Sequence, residues 1–115
     1  MKIQDTLSGN QKELDITKKV RIYLCGVTVY DTSHIGHART IIIFDTLRRF
    51  LEGNGAEVEF IQNFTDVDDK IIKKSNELGK SCEIITNKYI QYYFEDFKQL
   101  NVKTATEYPK ATEHI

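Results

Sequence analysis

The chain has little of several things, and each shortage narrows the possibilities. Only two cysteines occur among its 115 residues, Cys25 and Cys82, far apart in sequence. They build no disulfide framework, and a reducing, cytoplasmic setting is the expectation. A single proline, Pro109, and six glycines leave no obvious linker. No repeat or low-complexity tract is visible. The longest apolar run, Ile41 to Phe44, is far too short to span a bilayer, so no membrane partner is expected. The first residues, Met1-Lys2-Ile3-Gln4-Asp5, carry no apolar segment of the secretory type, so no signal peptide is expected. Charge of one sign is also lacking: 16 basic against 17 acidic residues give a net charge of -1. That balance excludes a wholesale electrostatic grip on nucleic acid, though not a local basic patch.

What is present suits one α/β domain or part of one. Hydrophobic residues make up 40% and aromatics 10%, enough for a packed core. Residues 2–7 suit a short strand or edge segment, and Ser8 to Lys19 reads as a polar loop. Val20 to Cys25 alternates as a strand and Gly26 ends it. From Ile35 to Glu52 the period becomes helical, with Thr40, Ile43, Phe44, Leu47, Phe50 and Leu51 as the stripe. Ala56 to Phe64 alternates again, with Val58, Phe60 and Gln62 on one side. Strand, helix, strand predicts a βαβ unit with parallel strands and a right-handed crossover. Thr65 is a natural N-cap for a second helix that Gly79 stops, with Asp66, Asp68 and Asp69 crowding its positive end. Ser81 suits the cap of a third, whose stripe is Ile90, Tyr93, Phe94, Phe97 and Leu100. Thr112 looks like the cap of another helix. Two parallel strands leave open edges and bare helix surface, so the sequence asks for more strands than it supplies.

The densest chemistry lies between Cys25 and His37, on the first strand-to-helix connection. Ligands of parallel sheets bind outside the carboxyl ends of the strands, and a helix N-terminus favours an anion there. Gly36 lets a flat group such as a nucleobase approach the backbone. His34 and His37, three apart, face the same way on a helix and suit a phosphate that gains charge in a transition state. Each residue also has a plainer reading. The histidines can cap a surface loop; as zinc ligands they lack the spacing and glutamate of a zincin helix. Cys25 can be a small hydrophobe at a strand end, and Asp31 a turn former. Asp66, Asp68 and Asp69 can serve only the helix dipole, or hold a metal.

The order of these residues resembles cysteinyl-tRNA synthetase, a class I aminoacyl-tRNA synthetase family. The matching segments are Cys25-Gly26-Val27-Thr28-Val29-Tyr30-Asp31, then His34-Ile35-Gly36-His37-Ala38-Arg39-Thr40 with the "HIGH" element intact, then Phe44-Asp45, Asn63 to Ile72, and Ala111 to Ile115. The tetrad alone would fit many nucleotidyl-transfer enzymes; the Cys-Gly-x-Thr-Val-Tyr-Asp prefix makes the match specific. The resemblance implies the N-terminal half of a Rossmann-like, HUP-type catalytic domain over residues 1–101, incomplete on its own, with residues 102–115 starting its connecting insertion. It implies cysteine, ATP with Mg2+, and tRNA(Cys) as partners of the whole enzyme. It implies Cys25 as the first zinc ligand, the zinc selecting substrate cysteine through its thiolate. His34 and His37 would stabilise the α-phosphate and pyrophosphate, with Ile35 and Gly36 of the same tetrad at the ATP site and Gly36 under adenine. Asp31 is placed in the ATP site, and Gly26, Thr28 and Thr65 in the substrate site. The family's Lys-Met-Ser-Lys-Ser loop, its tryptophan beside the substrate and its three other zinc ligands have no counterpart here; neither Cys82 nor His114 is recruited in their place. The 115 residues alone are therefore expected to be inactive. The rival readings are a related ligase joining cysteine to an amino sugar in mycothiol synthesis, and a non-catalytic orphan fragment.

Overall fold

The computed structural model describes all 115 residues. Its first strand lies where the sequence suggests one, and the second departs from expectation. The polar stretch after residue 8 is half of a hairpin: β1 (Lys2–Asp5) pairs antiparallel with β2 (Asn10–Glu13), Asp5 opposite Asn10. The turn is held by Asp5, whose carboxylate accepts from the Ser8 hydroxyl at 2.6 Å and meets the Lys12 ammonium at 2.5 Å. β2 is exposed along its whole length, so it carries none of the apolar alternation by which strands are recognised.

The βαβ unit forms as the sequence predicts. β3 (Val20–Leu24) and β4 (Val58–Gln62) are parallel, with Val20 opposite Val58 and Leu24 opposite Gln62. α1 (Ile35–Gly53) connects them. Val20, Leu24, Phe60 and Gln62 are buried on the covered face, while Arg21 and Tyr23 are exposed on the other. The inward side of α1 differs from the expected stripe. Ile41 and Leu51 are buried, with Ala38, Phe44 and Leu47 packed beside them, whereas Ile43 and Phe50 are more than half exposed and Thr40 is exposed. The run Ile41-Ile42-Ile43 offers adjacent helical registers of similar hydrophobicity. The contacts of the folded sheet select the one through Ile41.

α2 (Asp69–Leu78) starts later than Thr65. Asp68 is its cap, its side chain accepting from the Lys70 N–H at 2.8 Å. Thr65 cannot serve, because its backbone still extends the sheet, donating to Val27 O at 3.1 Å and accepting from Val29 N–H at 3.2 Å. Asp68→Ala is therefore expected to cost about 1 kcal/mol, read as a lowered urea midpoint, and Thr65→Val to spare the helix start. α3 (Cys82–Gln99) is capped by Ser81 as expected. Of its stripe, Tyr93 and Phe97 are buried, Phe94 is about a third exposed and Leu100 about half; Ile85 and Thr86 are buried as well.

Residues 102–111 form a strap along the free edge of β4. Phe60 O accepts from Thr106 N–H at 2.7 Å, Glu107 O from Gln62 N–H at 3.1 Å, and Pro109 O from Phe64 N–H at 2.9 Å. Isolated parallel bridges join Ile61 to Glu107 and Phe64 to Lys110, so the strap behaves as an irregular third strand. α1 holds its other side: Arg48 Nη1 donates to Thr104 O, Arg49 Nη2 to Asn101 O, and Glu52 pairs with Lys103. Phe64, 2% exposed, anchors the centre, edge-on to Tyr93 and stacked on Tyr108 at 5.4 Å.

The strap ends in a 3-10 turn, Ala111–Glu113, where the sequence suggests a helix capped by Thr112. The turn has no side-chain cap, and Thr112 is otherwise engaged. It donates to Asp66 twice, through its N–H to Oδ1 at 3.0 Å and its hydroxyl to Oδ2 at 2.6 Å. Burial pushes the Asp66 carboxyl upward, but these two donors, with its own backbone and Lys110, outweigh it and hold the group below its ordinary value. A carboxyl lowered by folding contributes stability above its unfolded range, and that contribution disappears as pH falls through the folded value. Urea midpoints measured from pH 5 downward should fall more steeply for the wild type than for Asp66→Asn, which cannot ionise.

Candidate active site

β3 ends at Leu24, and Cys25 stands exposed just beyond it. Gly26 then passes against the end of β4. Its N–H donates to Asn63 Oδ1 at 2.8 Å, and a Cβ on Gly26 would lie 1.3 Å from the Asn63 carbonyl oxygen. Thr28 bridges Thr65, and Val29, 1% exposed, plugs the connection into the core. The chain emerges again as Tyr30-Asp31-Thr32-Ser33, over the start of α2. There Lys70 Nζ lies 5.3 Å from the Tyr30 ring centroid and Lys74 Nζ lies 3.5 Å from Asp31 Oδ1.

At the start of α1 the two histidines cap the helix reciprocally. His34 Nδ1 accepts from the Gly36 N–H at 3.1 Å, and His37 Nδ1 accepts from the His34 N–H at 3.3 Å. The rings stack with centroids 3.8 Å apart and planes 20° apart. An accepting Nδ1 carries no proton, so a neutral ring must hold its proton on Nε2. Neither Nε2 has a partner within the chain, leaving both as free donors. Burial, then the neighbouring His34, lowers the His37 pKa, which keeps that ring neutral at physiological pH. Gly36 is needed for this arrangement: a Cβ there would lie 2.9 Å from His34 Cε1 and 3.0 Å from its Nδ1.

The histidines open onto a polar cleft of about 440 Å³, lined also by Thr28, Tyr30, Asp31, Thr32 and Lys70. The family described as the tRNA synthetases class I (C) catalytic domain matches residues 11–115. The chain belongs to this family. A cysteine–tRNA ligase of Trichormus variabilis is 50% identical over 98% of the chain and 24% of its own length. Those of Thermococcus kodakarensis and Archaeoglobus fulgidus are each 50% identical over the whole chain and 25% of their own length. The chain thus spans about a quarter of the curated relatives it matches. The α/β architecture with a parallel strand pair is that of a class I synthetase catalytic domain.

Within this family frame, the structure gathers four of the expected residues, Thr28, Asp31, His34 and His37, around one cleft. It separates the others. Gly26 is a packing residue against Asn63, and Thr65 acts through its backbone. Ile35 is 86% exposed and lines a second groove, shared with Phe97 of α3 and Leu100 at its end. Gly36 lies beneath the His34 ring. Tyr30, Thr32 and Lys70 line the cleft without having been singled out for it. For Lys70 the sequence offers only that it shares a helix face with Lys74; what that face meets is decided by the tertiary structure.

Zinc requires several donors at once. Cys25 is exposed and free to bind, but no group of three or more His, Cys, Asp or Glu side chains is assembled anywhere in the chain. Its residues do not by themselves form a zinc site. No helix is long and apolar enough to cross a membrane.

Proposed function

We propose that this chain carries the phosphate-binding half of the active site of a cysteine–tRNA ligase. In that reading ATP, with Mg2+, occupies the cleft in front of α1. The carboxylate of cysteine attacks the α-phosphorus, a new O–P bond forms, and the bond to the β-phosphate breaks with its electron pair leaving on pyrophosphate. The Nε2–H groups of His34 and His37 donate to the oxygens that gain charge in this step. Because both rings are tied at Nδ1 by backbone N–H groups, they need no reorientation when that charge develops. This fixed pair of outward donors is the observation that carries the reading.

Thr28 and Asp31 sit where they can orient substrate polar groups, and Lys74 holds Asp31 in place. Gly26 and Thr65 act one step back, setting the path of the loop. Cys25 would be one sulfur donor to a zinc, which would supply a soft interaction with the thiol of substrate cysteine; the donor set in these residues is incomplete, and no step here depends on it. The proposed partner of the second step is tRNA(Cys), and the proposed location is the cytoplasm. Residues 1–101 carry the first half of the parallel-sheet domain, and 102–115 lead into its connecting insertion after closing the β4 edge.

Cysteine-dependent ATP–pyrophosphate exchange tests this. A chain extended to the length of the relatives should exchange with cysteine and not with serine. The 115 residues alone should show none. Exchange that is indifferent to cysteine in the extended chain would sink the reading.

A further inference from the structure

Gln62 is 2% exposed, and its Nε2 has no hydrogen-bond partner in the chain. Its Oε1 accepts from the Tyr93 hydroxyl at 2.8 Å, which fixes which way the amide faces. Reversing the amide would point two donors at each other unless the Tyr93 proton found another acceptor, and it has none. An orphaned buried N–H2 is costly, and native interiors satisfy such groups with protein or ordered water.

Gln62 also lines a small void between β4, α1 and the strap, of about 10 Å³. That volume is about the least that admits a water. Its walls are not the apolar kind that stay dry. Asp45, Arg48 and Lys103 line it with Gln62, beside Ile41, Phe60 and Val102. Asp45 accepts from the Lys103 N–H at 3.0 Å and from Arg49 Nε at 2.7 Å. A carboxylate has about four acceptor sites, so capacity remains.

We infer that this void is a binding site for a single water, accepting from Gln62 Nε2–H and donating to the Asp45 carboxylate. The water ties β4 to the helix that presents His34 and His37, whose Asp45 also holds the strap through the Lys103 N–H. No protein group reaches Gln62 there, so the tie is made by solvent built into the fold. The inference stands independently of the proposed ligase activity.

Water–amide cross-relaxation in the 115-residue protein reads it directly. The Gln62 side-chain N–H2 should show cross-peaks to a long-lived water, with the negative NOE of a buried molecule. A crystal structure should place one oxygen between Gln62 Nε2 and Asp45. In Gln62→Leu both signals should be lost; if that variant does not fold, the wild-type measurements decide alone. Cross-peaks absent in the wild type, or a Gln62 amide reversed so that its nitrogen faces Tyr93, would overturn the inference.

Discussion

Gly26→Ala is expected to be the most damaging of the glycine-to-alanine changes in this protein, lowering stability by more than about 3 kcal/mol. The added Cβ would sit 1.3 Å from the Asn63 carbonyl oxygen, far inside any contact distance. The obstacle is backbone, not the end of a flexible side chain, so one strand end must move away from the other. That movement stretches the Gly26 N–H bond to Asn63 Oδ1 and then the Val27–Thr65–Val29 bridging beyond it. Overpacking of a well-packed interior costs about 1–3 kcal/mol, and a displaced buried backbone adds to this. Urea unfolding should show a much lower midpoint, or no folded baseline. Gly53→Ala, at the end of α1 where a Cβ meets nothing within 4 Å, is the control and should leave stability unchanged or raise it by up to about 1 kcal/mol.

If the proposed function holds, His37→Ala in a chain extended to the length of its relatives is expected to reduce cysteine-dependent ATP–pyrophosphate exchange by about 10²–10³-fold, mainly in kcat, because a fixed donor to developing charge would be removed. His34→Ala should lose at least as much. It removes its own donor and also the cap on the Gly36 N–H, so the start of α1 loosens with it. The stability costs differ in the same sense: capping losses of about 1 kcal/mol for His34 and less for His37. Gln at either position separates the two roles. It retains a donor but cannot reproduce an imidazole fixed at Nδ1, so it should restore more stability than rate. Equal exchange rates for wild type and both alanine variants would remove the histidines from the mechanism.

How much of this was legible in the sequence depended on whether a residue's role was local. Val20 to Leu24 and Val58 to Gln62 announce themselves by alternation, α1 by its length and period, α3 by Ser81. The histidine pair was visible as a motif, since three residues of helix place both rings together whatever surrounds them. The β1–β2 hairpin was not visible, because its second strand is exposed throughout and its turn is held by polar contacts around Asp5. The cap of α2 was misplaced by three residues, because Thr65 looks like a cap and only its pairing with Val27 and Val29 shows that it is still sheet.

By itself, then, the sequence determined β3, α1, β4 and α3, the parallel βαβ unit and the family, because strand alternation, helical period and an ordered motif are properties of neighbouring residues. Only the tertiary structure decided what spans distance. It chose the Ile41 register of α1, laid 102–111 along β4, tied Thr112 to Asp66, and brought Lys70 and Tyr30 to the cleft of His34 and His37. Each of these joins segments that many residues separate. Their partners are selected by packing and by the need to satisfy backbone hydrogen bonds at a sheet edge, and neither constraint is written in any local pattern.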